Sequence, residues 1–242
     1  MPRTASLPRT EAAAPLRLEQ ALQLLRQAGV ELPAADAGSA AWLQALVDGL
    51  VELSSRDALT GLANRRSFEL ALAREIDRVA RVGEPALLLA LDIDHFKRVN
   101  DTHGHAAGDL VIPAVADALR DSVRPMDLVA RVGGEEFAIV MPNCPPAFGE
   151  AVAERVRRRV ESMSVAVAPR RQIRASVSIG GAFAPQWVRS SPALWIERAD
   201  AQLYRAKAQG RNCVCLEPAA VSAVSAEEKA LLFGMSQYQD LE

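Results

Sequence analysis

RVGGEEFAIV, residues 131–140, is the stretch on which the fold turns. The apolar run at its end reads as a strand, Glu136 to Met141. A second strand is predicted over Leu128 to Val132, so the two form a hairpin with Gly133 and Gly134 at its turn. Glu135 and Glu136 then sit at or beside the tip. Neighbouring carboxylates repel, so this tip calls for a positive partner.

Outward from the hairpin, ALLLALDID at 86–94 reads as a buried strand whose acidic end emerges at a site. Helices are predicted over 65–81, 108–122, 146–163 and 191–210. The segment IRASVSIGGAFA, 173–184, reads as a further strand, and NCVCLE as the last one. Helices alternating with strands, partly through a hairpin, predict an α/β sandwich whose central sheet mixes parallel and antiparallel strands. On an extended strand Asp92 and Asp94 would share a face, whereas Glu135 and Glu136 would point oppositely. At the end of its strand one Asp can enter a cleft while the other points elsewhere. One carboxylate from each pair could thus converge and hold a hard divalent cation. Surface acids at strand ends are an equally ordinary reading of these four residues.

Before this body, residues 1–16 are predicted to be disordered, and 17–54 to form a short helical extension. Its first helix carries Leu18, Leu22 and Leu25 on one face and stops at Gly29. After a linker over 33–39, Ser39 caps a second helix that runs to Leu53. The spacing of Leu43, Leu46, Val47, Leu50 and Leu53 suits either packing on its own domain or a dimer-forming stalk. The main domain is placed at 55–218, leaving a tail, 219–242, with apolar Leu231, Leu232, Phe233 and Met235.

Of the 242 residues half are hydrophobic; the net charge is −2 and the pI about 6.0. No basic field invites a nucleic-acid polymer. Three cysteines without framework spacing point to a reducing, cytoplasmic setting. Cys213 and Cys215 read as core thiols. His95, His103 and His105 match no zinc signature. Arg155, Arg157, Arg158 and Arg159 read mostly as a solvated helix face. No leader-like apolar segment and no membrane-spanning run is expected.

Five segments together are more specific than any acid pair: DALTGLANRRSF at 57–68, LDIDHFKRVNDTHGHAAGD at 91–109, RVGGEEF at 131–137, SVSIGGA at 176–182 and ADAQLYRAKAQGRN at 199–212. In order and spacing they resemble the GGDEF family of diguanylate cyclases, in its GGEEF form, over about 55–216. The resemblance implies a fold like the polymerase palm and the nucleotidyl cyclases. It also implies that two GTP become cyclic di-GMP and two pyrophosphates in a homodimer, each subunit presenting one GTP. A member that has lost activity and only binds GTP or cyclic di-GMP is the alternative.

The resemblance also implies residue roles. Asp92, the carbonyl of Ile93, Glu135 and Glu136 would hold two Mg²⁺ or Mn²⁺ ions per half-site, and Glu136 would help activate the 3′-hydroxyl. Asn100 and Asp109 would read guanine. Gly133 and Gly134 would let the nucleotide lie against the backbone. Phe96 and Lys97 would offer backbone amides to the phosphates, and Lys207 and Arg211, four apart on one helix, would offer side chains. Arg124 and Asp127 match the family's R-x-x-D product-inhibition motif, and Arg155 a secondary contributor. Asp94 matches a family acid without a derivable role. Control would enter through the N-terminal helices or the tail, where a regulatory protein could bind.

Overall fold

The structure is a computed structural model that describes residues 17–31, 37–169, 171–187 and 190–218. The expectations for 1–16 and 219–242, and most of the 33–39 linker, lie outside the described residues. The chain divides into two compact units, with the boundary between Ser55 and Arg56.

The first unit is a pair of helices, α1 (Glu19–Gln27) and α2 (Ala40–Ser55). Gly29, at φ +72, follows the end of α1. The backbone N–H of Trp42 donates to Ser39 Oγ at 3.2 Å, the expected cap. Leu25, Trp42 and Leu46 form a small core, with Leu18 and Leu22 packed against it. Val47, Val51 and Leu53 of α2 are exposed in this unit.

The second unit begins with α3 (Arg65–Val82), β1 (Leu87–Ile93), α4 (Phe96–His103) and α5 (His105–Arg120). The hairpin β2 (Leu128–Arg131) and β3 (Glu136–Met141) follows, then α6 (Pro146–Ser162). A small hairpin, β4 (Val165–Ala168) and β5 (Arg171–Ile173), leads to β6 (Val177–Phe183), α7 (Pro192–Ala208) and β7 (Val214–Leu216). Asn64 starts α3 by accepting the Ser67 N–H at 3.0 Å, and Gly83, in the left-handed region, ends it.

The main sheet has the order β2-β3-β1-β6-β7. β1 is central and antiparallel to both β3 and β6, whereas β7 runs parallel to β6. The near-continuous apolar run of β1 follows from this position, since both its faces are covered. Leu87, Leu89, Leu91 and Ile93 pack under Val111, Val115 and Leu119 of α5 and Val152, Val156 and Val160 of α6. Leu88, with Ala138 and Val140 of β3, packs against Phe68, Leu72 and Ile76 of α3 and Trp195 and Ala199 of α7. The unit is therefore a mixed sheet between two helical layers, as predicted.

Two expectations change. The strand predicted over 173–184 is divided: Ile173 ends β5, which pairs with β4, and β6 begins at Val177. Val165 and Ile173 are buried against the core, and this short hairpin covers one end of it. The second change is α4. Only Phe96 and Val99 of its first turn are apolar, too little periodicity to announce a helix. It is set off by His95 at φ +56 and Gly104 at φ +82.

Candidate active site

The end of β1 organises the site. Asp92 stands directly opposite Glu136 of β3 and opposite Ser178 of β6. Side chains of directly paired residues share a sheet face, so Asp92 and Glu136 are neighbours on the face covered by α3 and α7. From α7, Lys207 reaches Asp92 with Nζ 2.7 Å from Oδ2. The two acids that meet are thus one from each sequence pair. Glu135 lies at the hairpin tip, where its carbonyl accepts the Ile93 N–H at 3.2 Å and ties the tip to β1.

Asp94 has a different task. It is buried, and it accepts the hydroxyls of Ser176 and Ser178 at 2.7 and 2.6 Å and the Asn212 N–H at 3.0 Å. It fastens the end of β1 to β6 and to the turn after α7. The acid without a derivable role in the sequence is a structural tie.

The tip itself is held by Arg131. Its Nη2 and Nε donate to the Gly134 carbonyl at 2.9 and 3.2 Å, and Nη1 lies 3.2 Å from both Asp57 oxygens. Asp57 also accepts the Thr60 N–H and hydroxyl at 2.9 and 2.7 Å. Burial works to raise its pKa, but Thr60 and Arg131 together outweigh burial and hold the carboxyl below its ordinary value. A Cβ at position 133 would lie 2.3 Å from Glu136 Oε2, so Gly133 lets the Glu136 side chain fold back over the turn. At Gly134 the corresponding space is open.

Asn100 on α4 lies against Gly108, the residue before Asp109 on α5. A Cβ on Gly108 would be 2.1 Å from Asn100 Oδ1. That oxygen is buried and has no partner among the described residues. Asp109 is exposed beside it. Phe96 and Lys97 occupy the first turn of α4, where backbone N–H groups have no carbonyl of the preceding turn to bond.

The helical pairing of Lys207 and Arg211 is not borne out. α7 ends at Ala208, and Gly210, Arg211 and Asn212 all have positive φ, +112, +67 and +46. The chain reverses there to enter β7, so Arg211 stands on a turn beyond the helix. That turn is anchored by groups the sequence reading passed over. Arg157 Nη1 donates to Asn212 Oδ1 at 2.9 Å, and Asn212 Nδ2 donates to Glu161 Oε1 at 2.6 Å. Arg157 also pairs with Glu154, pulling that carboxyl down to about 2 despite the opposing effect of burial. Arg157 is therefore a clamp rather than part of a solvated face, whereas Arg158 is exposed beside Glu154.

Asp200 of α7 faces a cavity of about 140 Å³ that is also lined by Glu136, Arg65 and Glu69. Burial raises its pKa, the Glu136 charge raises it further, and Lys207 opposes both. Nothing in the sequence pairs Asp200 with Glu136 except its place seven residues before Lys207, two turns along the same helix face.

At the opposite end of β2, Arg124 and Asp127 are already paired. Arg124 donates to Asp127 through its backbone N–H at 2.8 Å and its guanidinium at 2.8 to 3.3 Å. The guanidinium also donates to the Pro142 carbonyl at 2.8 Å and lies 4.7 Å from the centre of the Phe148 ring. Arg155 donates to the Ser122 carbonyl at 2.7 and 3.1 Å, on the same turn. The Arg124–Asp127 pair and the Arg155 contact with Ser122 both lie on the turn that precedes β2, at the end of that strand away from the hairpin tip.

A mixed sheet between helical layers, with acids at the end of its central strand, defines a nucleotidyl-cyclase-like domain. Residues 54–213 match the diguanylate cyclase GGDEF domain, and the chain belongs to that family. The response regulator PleD of Caulobacter vibrioides is 40% identical over 174 residues, covering 72% of this chain and 38% of PleD. The coiled coil and GGDEF domain of DgcB from Caulobacter crescentus, solved with c-di-GMP, aligns with a TM-score of 0.68 and 31% identity. That alignment covers 83% of this chain and 100% of the DgcB chain. The diguanylate cyclase SiaD of Pseudomonas aeruginosa, solved with its activator SiaC, aligns with a TM-score of 0.68 and 32% identity, over 83% of this chain and 72% of SiaD. The chain spans well under half of PleD. Among the described residues no helix is long and apolar enough to cross a membrane.

Proposed function

We propose that this chain condenses two GTP into cyclic di-GMP, releasing two pyrophosphates, where two copies of the domain face each other. The observation that carries the reading is the meeting of Asp92, Glu136 and Lys207 at the end of β1. Two carboxylates and an ammonium are what a triphosphate with its counterions requires.

The donor set fits Mg²⁺ or Mn²⁺, two per half-site. Among the described residues no group of three ligating side chains is preassembled. Mg²⁺ does not need one, since it is commonly held by one or two carboxylates, with substrate phosphates and water completing its shell. Asp92, Glu136, Glu135 and the Ile93 carbonyl are the assigned ligands. Bound ions would offset the triphosphate charge and favour the in-line displacement.

The protein's own groups do the rest. The amides of Phe96 and Lys97, at the start of α4, take the phosphates. Lys207 exchanges its contact with Asp92 for a phosphate oxygen, and Arg211 contributes from its turn. Asn100 and Asp109 hydrogen-bond the guanine edge; the unpaired, buried Asn100 Oδ1 supports that role because such an atom is costly without a partner. Glu136 accepts the proton of the 3′-hydroxyl. The oxygen then attacks the α-phosphorus of the partner's GTP, and the bond to the bridging oxygen of pyrophosphate breaks. Two repetitions about a two-fold axis give the cyclic product.

Arg124 and Asp127, with Arg155, serve as the product-inhibition site. Cyclic di-GMP bound there would hold two domains apart from the productive encounter. The exposed apolar residues of α2 provide a surface for pairing with a second copy or a regulatory protein. The test is incubation of purified protein with GTP and Mg²⁺, with products separated by chromatography. Cyclic di-GMP and pyrophosphate in a 1:2 ratio are expected, and hydrolysis to GDP or no turnover at all would overturn the reading.

A further inference from the structure

Cys213 and Cys215 are not core thiols. Both are half-buried, on or beside β7, the outer strand of the main sheet. Val214 and Leu216 turn inward and pack against the hydrophobic core. By the period of a strand the two cysteines share the other side. There they meet the last turn of α7. Cys213 Sγ lies 3.3 Å from the Ala206 carbonyl oxygen, and Cys215 Sγ lies 3.3 Å from Gln209 Oε1. Each thiol thus donates to one oxygen beside the start of the turn that carries Arg211.

We propose that Cys213 and Cys215 form a bidentate thiolate site for a thiophilic divalent cation of the zinc class, with Gln209 Oε1 and the Ala206 carbonyl as its oxygen donors. The spacing favours a chelate. Zinc–sulfur bonds of about 2.3 Å and zinc–oxygen bonds of about 2.1 Å at a tetrahedral angle place sulfur and oxygen about 3.6 Å apart. The two thiol–oxygen hydrogen bonds here, 3.3 Å each, are slightly shorter than that, so each sulfur and its oxygen could come to share a cation with little movement. A disulfide fits less well. At a rise of about 3.3 Å per residue, the two Cα atoms are roughly 6.6 Å apart. That is the upper end of the window of about 4.4–6.8 Å for a disulfide.

The carbonyl end of α7 also favours a cation over an anion. Burial raises the Cys213 thiol above its ordinary pKa; the adjacent Cys215 and then Asp94 add to this, and Arg157 opposes it. The Cys213 thiol is therefore protonated at neutral pH and must give up its proton on loading, because the metal binds the thiolate. Affinity should rise with pH. The site does not rest on the nucleotide chemistry proposed above.

The test uses the full chain, reduced and stripped of metal with a chelator. Cd²⁺ is the probe because its thiolate complexes give an ultraviolet charge-transfer band. We expect the band to saturate at one Cd²⁺ per chain in the wild type and in Cys144→Ser, and Zn²⁺ to displace the Cd²⁺. The band should be lost in Cys213→Ser and in Cys215→Ser, and Gln209→Ala should keep it at lower affinity. Thermal melts check that the variants fold. If Cys213→Ser does not, Cys215→Ser decides. No saturable band in the wild type, or a band that survives in a folded Cys215→Ser, would overturn the proposal.

Discussion

Arg131→Met tests whether the hairpin tip is positioned from outside the hairpin. The substitution keeps an unbranched stem of similar length and removes the guanidinium. Arg131 is 15% exposed and Asp57 22%. The lost contacts are two to the Gly134 carbonyl and two to Asp57. The Gly134 carbonyl is at an exposed turn, where water can replace the donor. Asp57 keeps its Thr60 donors and is open enough to be partly hydrated. The loss of stability should therefore be modest, about 1–2 kcal/mol. Turnover should suffer more. The tip carries Glu135 and Glu136, and misplacing a reacting group by about 1 Å can cost roughly 100-fold. We expect kcat to fall about 10- to 100-fold while KM for GTP changes much less. The assays are urea unfolding and initial rates of cyclic di-GMP formation. There is also a pH signature. Because the folded pKa of Asp57 is depressed, its contribution is present above the unfolded carboxylate pKa and is lost as pH falls through the folded value. That acid-side loss should be smaller in Arg131→Met. Wild-type turnover in a folded Arg131→Met protein would refute the positioning argument.

Glu136→Gln should lower synthesis by at least about 100-fold with a much smaller effect on GTP binding; near-normal product formation would remove Glu136 from its role. Asn100→Ala combined with Asp109→Ala should weaken GTP by about 1–3 kcal/mol per unpaired guanine group while hardly changing ATP, so an unchanged GTP-to-ATP binding ratio would count against guanine reading. Arg124→Ala should abolish inhibition by added cyclic di-GMP at low conversion. Because the Asp127 side chain is fully buried, it should also destabilise the fold by a few kcal/mol, so inhibition is to be compared at a temperature where both proteins are folded. Full relief of wild-type inhibition by excess GTP would contradict a separate site.

Much of this architecture could be read from the chain because the signals were local. The β2–β3 hairpin, β1 and the long helices follow from apolar periodicity and from Gly133 and Gly134 at the hairpin turn. The convergence of one acid from each pair could also be expected, since strand alternation permits only a few arrangements. α4 and the β4–β5 hairpin could not. α4 has few apolar residues, β4 and β5 are only four and three residues long, and both features are defined by what they pack on. The remote partners of Arg131, Arg157 and Asp94 were also hidden: Arg131 and Asp57 are 74 positions apart, Arg157 and Asn212 are 55 apart, and Asp94 and Asn212 are 118 apart. No spacing rule operates over such distances.

The misplacement of Arg211 is informative because the error was geometric. Four positions on from Lys207 is one helical turn only if the helix continues, and Gly210 marks the point where it stops. The turn that replaces it has three consecutive residues at positive φ, two of them not glycine. Such a backbone is unfavourable unless its surroundings fix it. Here the fixing groups are identifiable: Asp94 holds the Asn212 N–H, and Arg157 and Glu161 hold its side chain. Asp94 also lies just beyond Asp92 on the same strand end. A single buried carboxylate therefore sets the position of the turn that carries Arg211 relative to the acids of β1. Asp94→Asn leaves the shape but turns one acceptor into a donor facing Ser176, Ser178 and Asn212. By this reasoning it should loosen Arg211 and weaken GTP binding more than it changes the chemistry once GTP is bound. Nucleotide titration should report the former, and single-turnover rates at saturating GTP the latter. An equal loss in both would place Asp94 in the reaction itself.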